Sequence, residues 1–70
     1  MEMIQVKSSN LAAVGYDPNS AVLKVEFLNC RIYEYYDVPQ YIFDELLAAD
    51  SKGKYAASNI YKNYNQQRIL

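Results

Sequence analysis

The fold is decided by the stretch at residues 22–35, which reads VLKVEFLNCRIYEY. Apolar side chains alternate with charged ones before Asn29, and two tyrosines flank Glu34 after it. Alternation with a period of two is typical of a strand that buries one face. Because only a few residues separate the two alternating runs, the stretch predicts an antiparallel hairpin that turns at Asn29-Cys30.

Two registers of this hairpin compete. A two-residue loop pairs Val25 with Glu34 and places a carboxylate among apolar side chains, which is costly. A three-residue loop with a bulge pairs Val25 with Tyr33 and sets Lys24 opposite Glu34, an attractive cross-strand pair. We expect the bulged register, in which Cys30 adopts a positive φ at a cost of roughly 1 kcal/mol.

The sequence on either side of the hairpin predicts further strands and two helices. A turn follows the second strand, where Asp17 can accept a backbone hydrogen bond and Pro18 presets φ. Pro39 suits the start of a helix, and Ser51 can cap the next one. The expected elements are strands over residues 3–7 and 11–16, a turn over 17–20, and helices over 40–49 and 52–64.

These elements predict an α+β fold, in which a small antiparallel meander of three to four strands is followed by two helices packed on one face. Residues 1–70 form a single domain with a folded core of about residues 3–64, and residues 65–70 are expected to be a frayed tail. The predicted core residues are Leu11, Val14, Leu23, Val25, Phe27, Phe43, Leu46, Leu47 and Ile60.

Length and composition exclude many functions. A chain of 70 residues with one cysteine and no histidine lacks the usual zinc ligands and the commonest general base. We therefore expect no catalysis, no metal and no cofactor. No apolar run approaches the 18 residues of a membrane span, and no secretory leader is evident, so we expect a cytoplasmic protein with no membrane partner.

Charge is distributed unevenly along the chain. Residues 1–50 carry three basic and eight acidic side chains, whereas residues 51–70 carry four basic and no acidic ones. A protein that relies wholly on nucleic-acid binding is usually basic throughout. Here only the C-terminal part of the chain is suited to a polyanion.

The start of the second predicted helix, Ser51-Lys52-Gly53-Lys54, is the best candidate site. Helix N-termini present free N–H groups and a positive dipole, and the glycine lets backbone approach an anion. The alternative is that Ser51 only caps the helix and the lysines are solvated. A basic track beside aromatic rings would extend the site along Tyr55, Tyr61, Lys62 and Arg68.

Tyrosine is unusually frequent, with eight in 70 residues. In the bulged register Tyr33 and Tyr35 lie on the core face with their hydroxyls at its margin. They serve either in packing or as a stacking platform for single-stranded RNA. Tyrosine also anchors protein interfaces, so its frequency fits a protein partner or self-assembly equally well.

Taken in order, several short motifs resemble one family, the KTSC domain. The motifs are Ser8-Ser9, residues 14–18 (VGYDP), residues 23–27 (LKVEF), Tyr33-Glu34-Tyr35, Val38-Pro39, and residues 51–55 (SKGKY) with Ile60 and Tyr64. The family is named for the C-terminal segment of some lysyl-tRNA synthetases and also occurs as a free-standing small bacterial or phage protein. The resemblance implies a compact single domain and suggests RNA binding.

The functional prediction is a non-catalytic binding module. It binds RNA, single-stranded or tRNA-like, or another polyanion, weakly and without sequence specificity, through the start of the second helix. The alternative is a protein–protein interaction or self-assembly module. Salt dependence distinguishes the two, since phosphate-driven binding weakens steeply with salt and an apolar interface does not.

Overall fold

The computed structural model describes all 70 residues. Five strands form one antiparallel sheet in sequential order, so the α+β class is confirmed with one strand more than expected. Neither helix is long and apolar enough to cross a membrane. The elements are β1 (Met3–Gln5), β2 (Leu11–Asp17), β3 (Val22–Phe27), β4 (Ile32–Tyr35), α1 (Gln40–Ala48), α2 (Lys52–Asn59) and β5 (Gln66–Arg68).

The β3–β4 hairpin adopts the bulged register. Val25 lies opposite Tyr33 and Lys24 lies opposite Glu34. The loop closes where the Phe27 N–H donates to the Arg31 carbonyl at 2.8 Å. Cys30 has φ 70°, the left-handed conformation that the three-residue loop requires. Both parts of the register prediction are confirmed.

The β2–β3 turn is held by the side chain of Asp17. Its carboxylate accepts from the Asn19 N–H at 3.0 Å and from the Ser20 hydroxyl at 2.9 Å. The hydrogen bond from Ser20, followed by that from Asn19, lowers the pKa of Asp17. The predicted turn is therefore formed, and its carboxylate stays ionised.

The hydrophobic core lies between one face of the sheet and the two helices. Of the residues predicted for it, Phe27 and Leu47 are only partly buried and pack against its edge. Val38 and Ala56 are fully buried although neither was predicted. The core cluster is Leu11, Val14, Leu23, Val25, Tyr35, Val38, Ile42, Phe43, Leu46, Ala56 and Ile60.

α2 ends at Asn59, not near Tyr64 as the sequence predicts. The N–H groups of Ile60 and Tyr61 both donate to the Ala56 carbonyl, at 2.9 and 3.0 Å, so the regular ladder stops there. The Asn59 amide also donates to the Tyr55 carbonyl at 3.1 Å. Asparagine amides compete with the helical backbone for its acceptors, and this competition favours a helix end.

Residues 65–70 are not a frayed tail. β5 pairs with β4, so that Gln66 lies opposite Tyr35 and Arg68 lies opposite Tyr33. Beyond β5, the Ile69 N–H donates to the Ile32 carbonyl at 2.7 Å. The pairing satisfies backbone groups of β4 that would otherwise form an open edge, and it needs no buried side chain. All side chains of β5 are exposed, so no apolar alternation marked the strand in the sequence.

Candidate functional site

The start of α2, Ser51–Lys54, satisfies its polar groups within the fold. The Ser51 hydroxyl accepts from the Lys54 N–H at 3.4 Å, which makes Ser51 the N-cap. The Lys52 ammonium donates to the Ala49 carbonyl at 3.0 Å, at the end of α1. Of the two lysine side chains predicted to hold a phosphate, only that of Lys54 is exposed and takes no part in these hydrogen bonds.

Gly53 lies against the β1–β2 connection. A Cβ placed on Gly53 would come within 2.5 Å of the Asn10 side-chain oxygen. That oxygen also accepts from the Ser8 hydroxyl at 3.1 Å, so Asn10 is fixed where it contacts the helix. The glycine therefore permits close packing within the fold, and Asn10 occupies the space where an anion was expected to approach.

Tyr55 joins the two helices. Its hydroxyl donates to the Glu45 carboxylate at 2.6 Å. Desolvation, together with this hydrogen bond to a negative group, raises the pKa of Tyr55 to about 12. Lys62 is exposed in the turn that follows α2. None of these contacts places Tyr55 or Lys62 beside Arg68.

A cleft of about 310 Å³ lies among the β3–β4 hairpin, β5 and the turn after α2. Its lining combines aromatic rings with an arginine and two amides, and it contains no carboxylate. We refer to it as the aromatic cleft. Its residues are Phe27, Asn29, Arg31, Tyr33, Tyr35, Tyr61 and Gln66.

The rings of the cleft are ordered by contacts with one another. Tyr35 stacks on Tyr33 with 6.4 Å between ring centroids and on Tyr61 with 5.8 Å. Phe27 meets Tyr33 edge-on, at 87° and 5.8 Å. Tyr35 is only 2% exposed and forms the floor, whereas Tyr33 is half-buried and keeps part of its surface open. Packing therefore accounts for Tyr35, and Tyr33 is available for contact.

Both arginines of the chain lie beside Tyr33. Arg31 lines the cleft two residues before Tyr33, and successive side chains of a strand alternate between faces. Arg68 lies directly opposite Tyr33 across the β4–β5 pair. Glu34 belongs to the other face of the sheet, where its carboxylate accepts from the Tyr36 hydroxyl at 3.1 Å. Arg31 is thus the one charged side chain that lines the cleft, in a chain of net charge −1.

The phenols of Tyr35 and Tyr61 are neutral at physiological pH. Burial is the main cause that raises the pKa of Tyr35, and it is the cause that raises the pKa of Tyr61. The Tyr61 hydroxyl is buried and has no hydrogen-bond partner. No three His, Cys, Asp or Glu side chains lie close enough to hold a metal ion. The cleft therefore offers stacking, amide hydrogen bonds and positive charge.

Sequence reasoning found only part of this site. Of the predicted contact residues, Tyr61 lines the cleft and Arg68 lies beside it, whereas Phe27, Asn29, Arg31 and Gln66 were missed. Arg31 was detectable, because it precedes Tyr33 by two residues on a predicted strand. Gln66 was not, because it reaches the cleft through the unexpected strand β5.

The sequence matches the KTSC domain family over residues 7–64. The chain belongs to the KTSC domain family. The crystal structure of a KTSC domain protein from Yersinia pestis superposes with a TM-score of 0.95 at 28% identity, covering 99% of this chain and 97% of that one. The cleft residues Phe27 to Tyr61 lie within the matched range. Gln66 and Arg68 lie beyond it, but β5 falls within the structural superposition.

Relatives of the KTSC family differ in size. A protein of Tsukamurella paurometabola is 45% identical over 53 residues, which are 76% of this chain and 79% of that one. A protein of Stutzerimonas stutzeri is 40% identical over 55 residues, 79% of this chain and 78% of that one. A lysine–tRNA ligase of a Nostoc species is 38% identical over 67 residues, which are 96% of this chain but 12% of the ligase.

Proposed function

We propose that this KTSC domain is a non-catalytic module that binds RNA weakly and with little sequence specificity. The observation that supports the proposal is the aromatic cleft, where Tyr33 is flanked by Arg31 and Arg68 and no carboxylate lines the wall. Every base has a face that stacks on an aromatic ring, whatever the sequence. Guanidinium groups bind phosphate through paired hydrogen bonds.

The proposal moves the main contact from the start of α2 to the aromatic cleft. Ser51 and Lys52 have partners within the fold, and Gly53 faces Asn10. Free backbone donors and unpaired charge were the reasons for expecting a phosphate there. Lys54 and Lys62 remain exposed and supply secondary, screened attraction in this proposal.

The Nostoc relative supports tRNA-like RNA as the ligand class. Its name is that of an enzyme that joins lysine to tRNA, and almost the whole of this chain corresponds to a small part of it. A domain attached to such an enzyme is well placed to contact its RNA substrate. The proposal takes the cytoplasm as the compartment in which the ligand is met.

Affinity is expected to be modest. Each phosphate contact on a single strand contributes about −0.7 to the slope of log K against log salt. Two arginine contacts therefore give a slope of about −1.4, and the dissociation constant is micromolar or weaker at physiological salt. Phosphate contacts carry no base information, so binding to unrelated sequences is similar.

The test is a salt titration with a fluorescent single-stranded RNA and a tRNA-like hairpin. The variants are Arg31→Glu and, as a matched control, Lys54→Glu, since both side chains are exposed and both changes alter the net charge by the same amount. We expect Arg31→Glu to weaken binding about tenfold or more and Lys54→Glu about twofold.

Three outcomes contradict parts of the proposal. A larger loss of RNA affinity in Lys54→Glu than in Arg31→Glu would indicate that the main RNA contact is at the start of α2. Equal binding by the parent and Arg31→Glu removes the aromatic cleft from the contact. No binding of either RNA by the parent at low salt removes RNA as the ligand.

A protein partner, or a second copy of the chain, is the second candidate. Leu28 at the hairpin is 58% exposed and Leu70 beside Ile32 is 64% exposed, so apolar surface lies at the same end of the sheet as Arg31. Apolar association is insensitive to moderate salt, unlike a phosphate contact. Sedimentation at low and high salt separates self-association from RNA binding.

A further inference from the structure

We propose that the aromatic cleft takes one unpaired nucleotide, with its base against Tyr33 and its phosphate between Arg31 and Arg68. This inference rests on the proposed function and specifies the unit of ligand that the cleft holds. An unpaired nucleotide within RNA and a free nucleoside monophosphate share this chemistry, and the experiment distinguishes them.

The ring spacings decide where a base lies. Inserting a ring between two parallel rings needs about 7 Å, twice the optimal carbon–carbon separation of about 3.5 Å. The Tyr33–Tyr35 and Tyr35–Tyr61 centroid distances, 6.4 and 5.8 Å, are both smaller. Tyr35 is also sealed from solvent. A base therefore stacks on the open surface of Tyr33, with Phe27 as the perpendicular side wall.

The size of the cleft limits the ligand to one nucleotide. Its volume of about 310 Å³ is at the lower end of the range for small-molecule sites, which begins near 300 Å³. Two stacked nucleotides would extend beyond the lining residues. A base within a duplex is stacked on both sides and cannot reach Tyr33, so the cleft selects unpaired nucleotides.

Two amides are placed to contact the edge of the base. The Asn29 oxygen already accepts from the Arg31 N–H at 3.1 Å, which leaves its amino group as a donor. The Gln66 amide supplies both a donor and an acceptor. The Gln66 amide can rotate to present either group and so adapts to several base edges, which lets these contacts orient the base without fixing its identity.

The two arginines are placed to bind the phosphate of the nucleotide. They approach Tyr33 from two directions, Arg31 along β4 and Arg68 across from β5, and both are exposed. Arg68 also donates from Nε to the Leu70 carbonyl at 3.2 Å, which holds its side chain beside the sheet and leaves its terminal nitrogens free. The phosphate of a nucleotide, joined through the ribose to a base on Tyr33, therefore lies within the field of both guanidinium groups.

The experiment is an NMR titration of the full ¹⁵N-labelled chain. The probes are adenosine monophosphate, adenosine, inorganic phosphate, a tetraadenylate strand and an RNA duplex. We expect the monophosphate and the tetranucleotide to shift the same amide signals, those of Arg31, Tyr33 and Gln66. Adenosine is expected to bind about tenfold more weakly than the monophosphate, because it lacks the charge that the arginines hold.

Three variants test the separate parts. Tyr33→Leu, with the exposed Tyr41→Leu as its control, is expected to weaken tetranucleotide binding about tenfold, the effect of losing one stacked base. Arg31→Gln, at an exposed position, is expected to narrow the preference for the monophosphate over adenosine, with Arg68 keeping part of that preference. Because Arg31→Gln leaves the core intact, it keeps the test decisive if Tyr33→Leu fails to fold.

The outcomes separate this inference from the proposed function. Single-stranded RNA that binds with shifts outside the aromatic cleft, or a duplex that binds equally well, overturns the single-nucleotide inference and leaves RNA binding standing. Shifts in the cleft with the monophosphate but none with the tetranucleotide support a free-nucleotide site and contradict RNA binding. No shift with any probe overturns both.

Discussion

The start of α2 and the aromatic cleft look alike in composition, since each combines basic side chains with tyrosine, yet folding treats them in opposite ways. At the start of α2, the Ser51 hydroxyl, the Lys52 ammonium and the Tyr55 phenol each have a partner within the chain. In the cleft, the Tyr61 hydroxyl has no partner and Arg31 faces solvent beside an open ring. Polar groups with partners inside the chain stabilise the domain, whereas an exposed group without one, such as the Arg31 guanidinium, is available to a ligand.

Ile60 connects the two regions, and its truncation is expected to have the largest effect. It is fully buried at the end of α2, directly before Tyr61. Ile60→Ala is expected to lower the free energy of unfolding by about 2–5 kcal/mol, which is enough to unfold a domain of this size. Urea denaturation measures the loss, with Ile60→Val as the mild control at about 0.5–1.5 kcal/mol. An alanine variant as stable as the parent would mean that this anchor is misassigned.

Removing single tyrosine hydroxyls distinguishes the two regions, because the free energy of unfolding should rise in one case and fall in the other. Tyr61→Phe deletes a buried hydroxyl that lacks a partner, so we expect a gain of about 1 kcal/mol. Tyr55→Phe deletes the donor to Glu45, so we expect a loss of about 0.5–1 kcal/mol. Thermal denaturation of the two variants measures both. Destabilisation by Tyr61→Phe would show that its hydroxyl is satisfied after all.

Cys30 lies at the hairpin tip between Asn29 and Arg31, and its backbone conformation positions both residues at the cleft. Its φ of 70° suits glycine better than any residue with a Cβ. Cys30→Gly is expected to stabilise the domain by at most about 1 kcal/mol, because relief of strain is partly offset by the greater freedom of glycine in the unfolded chain. Cys30→Ala is the control for loss of the thiol. A less stable glycine variant contradicts the strain argument.

The smallest effect concerns pH. Because the pKa of Tyr55 is raised to about 12 from 10.0, the folded state retains a proton that the unfolded state loses between those values. The contribution of Tyr55 to stability is fully present below pH 10 and is lost as pH rises towards 12. The difference in unfolding free energy between parent and Tyr55→Phe should therefore shrink over that interval. A difference that stays constant over roughly pH 9 to 12, the interval in which the unfolded and folded states lose the Tyr55 proton, contradicts the role given to Glu45.

Much of the fold was predictable because it is encoded locally. Alternation over residues 22–35 and the cost of burying Glu34 were sufficient to give the hairpin register, down to the positive φ of Cys30. Two features escaped prediction for physical reasons. β5 is held by backbone pairing with exposed side chains, which leaves no hydrophobic pattern. The end of α2 depends on the local hydrogen bond from the Asn59 amide to the Tyr55 carbonyl and on the burial of Ile60, of which only the burial is a tertiary effect.

The candidate site was less predictable than the fold. A serine followed by lysines around a glycine predicts an anion site, and the partners of Ser51 and Lys52 become visible only in the structure. Gly53 and Asn10, which are in contact, lie 43 positions apart in the sequence, so no local sequence pattern predicts this contact. Arg31 and Arg68 are distant from each other in the sequence, so only the pairing of β5 with β4 brings both of them beside Tyr33.

The pairing of β5 with β4 also has a consequence for the order of folding. Strands β1 to β4 are joined by short connections, whereas Tyr35 and Gln66 come together across both helices. Closing that longer loop costs more chain entropy, so the hairpins should form early and β5 should dock late. The same strand should detach first when the native protein opens locally, and the amides of β5 should exchange with solvent faster than those of β3. The wall that carries Gln66 and Arg68 would then be the last part of the cleft to assemble and the first to open.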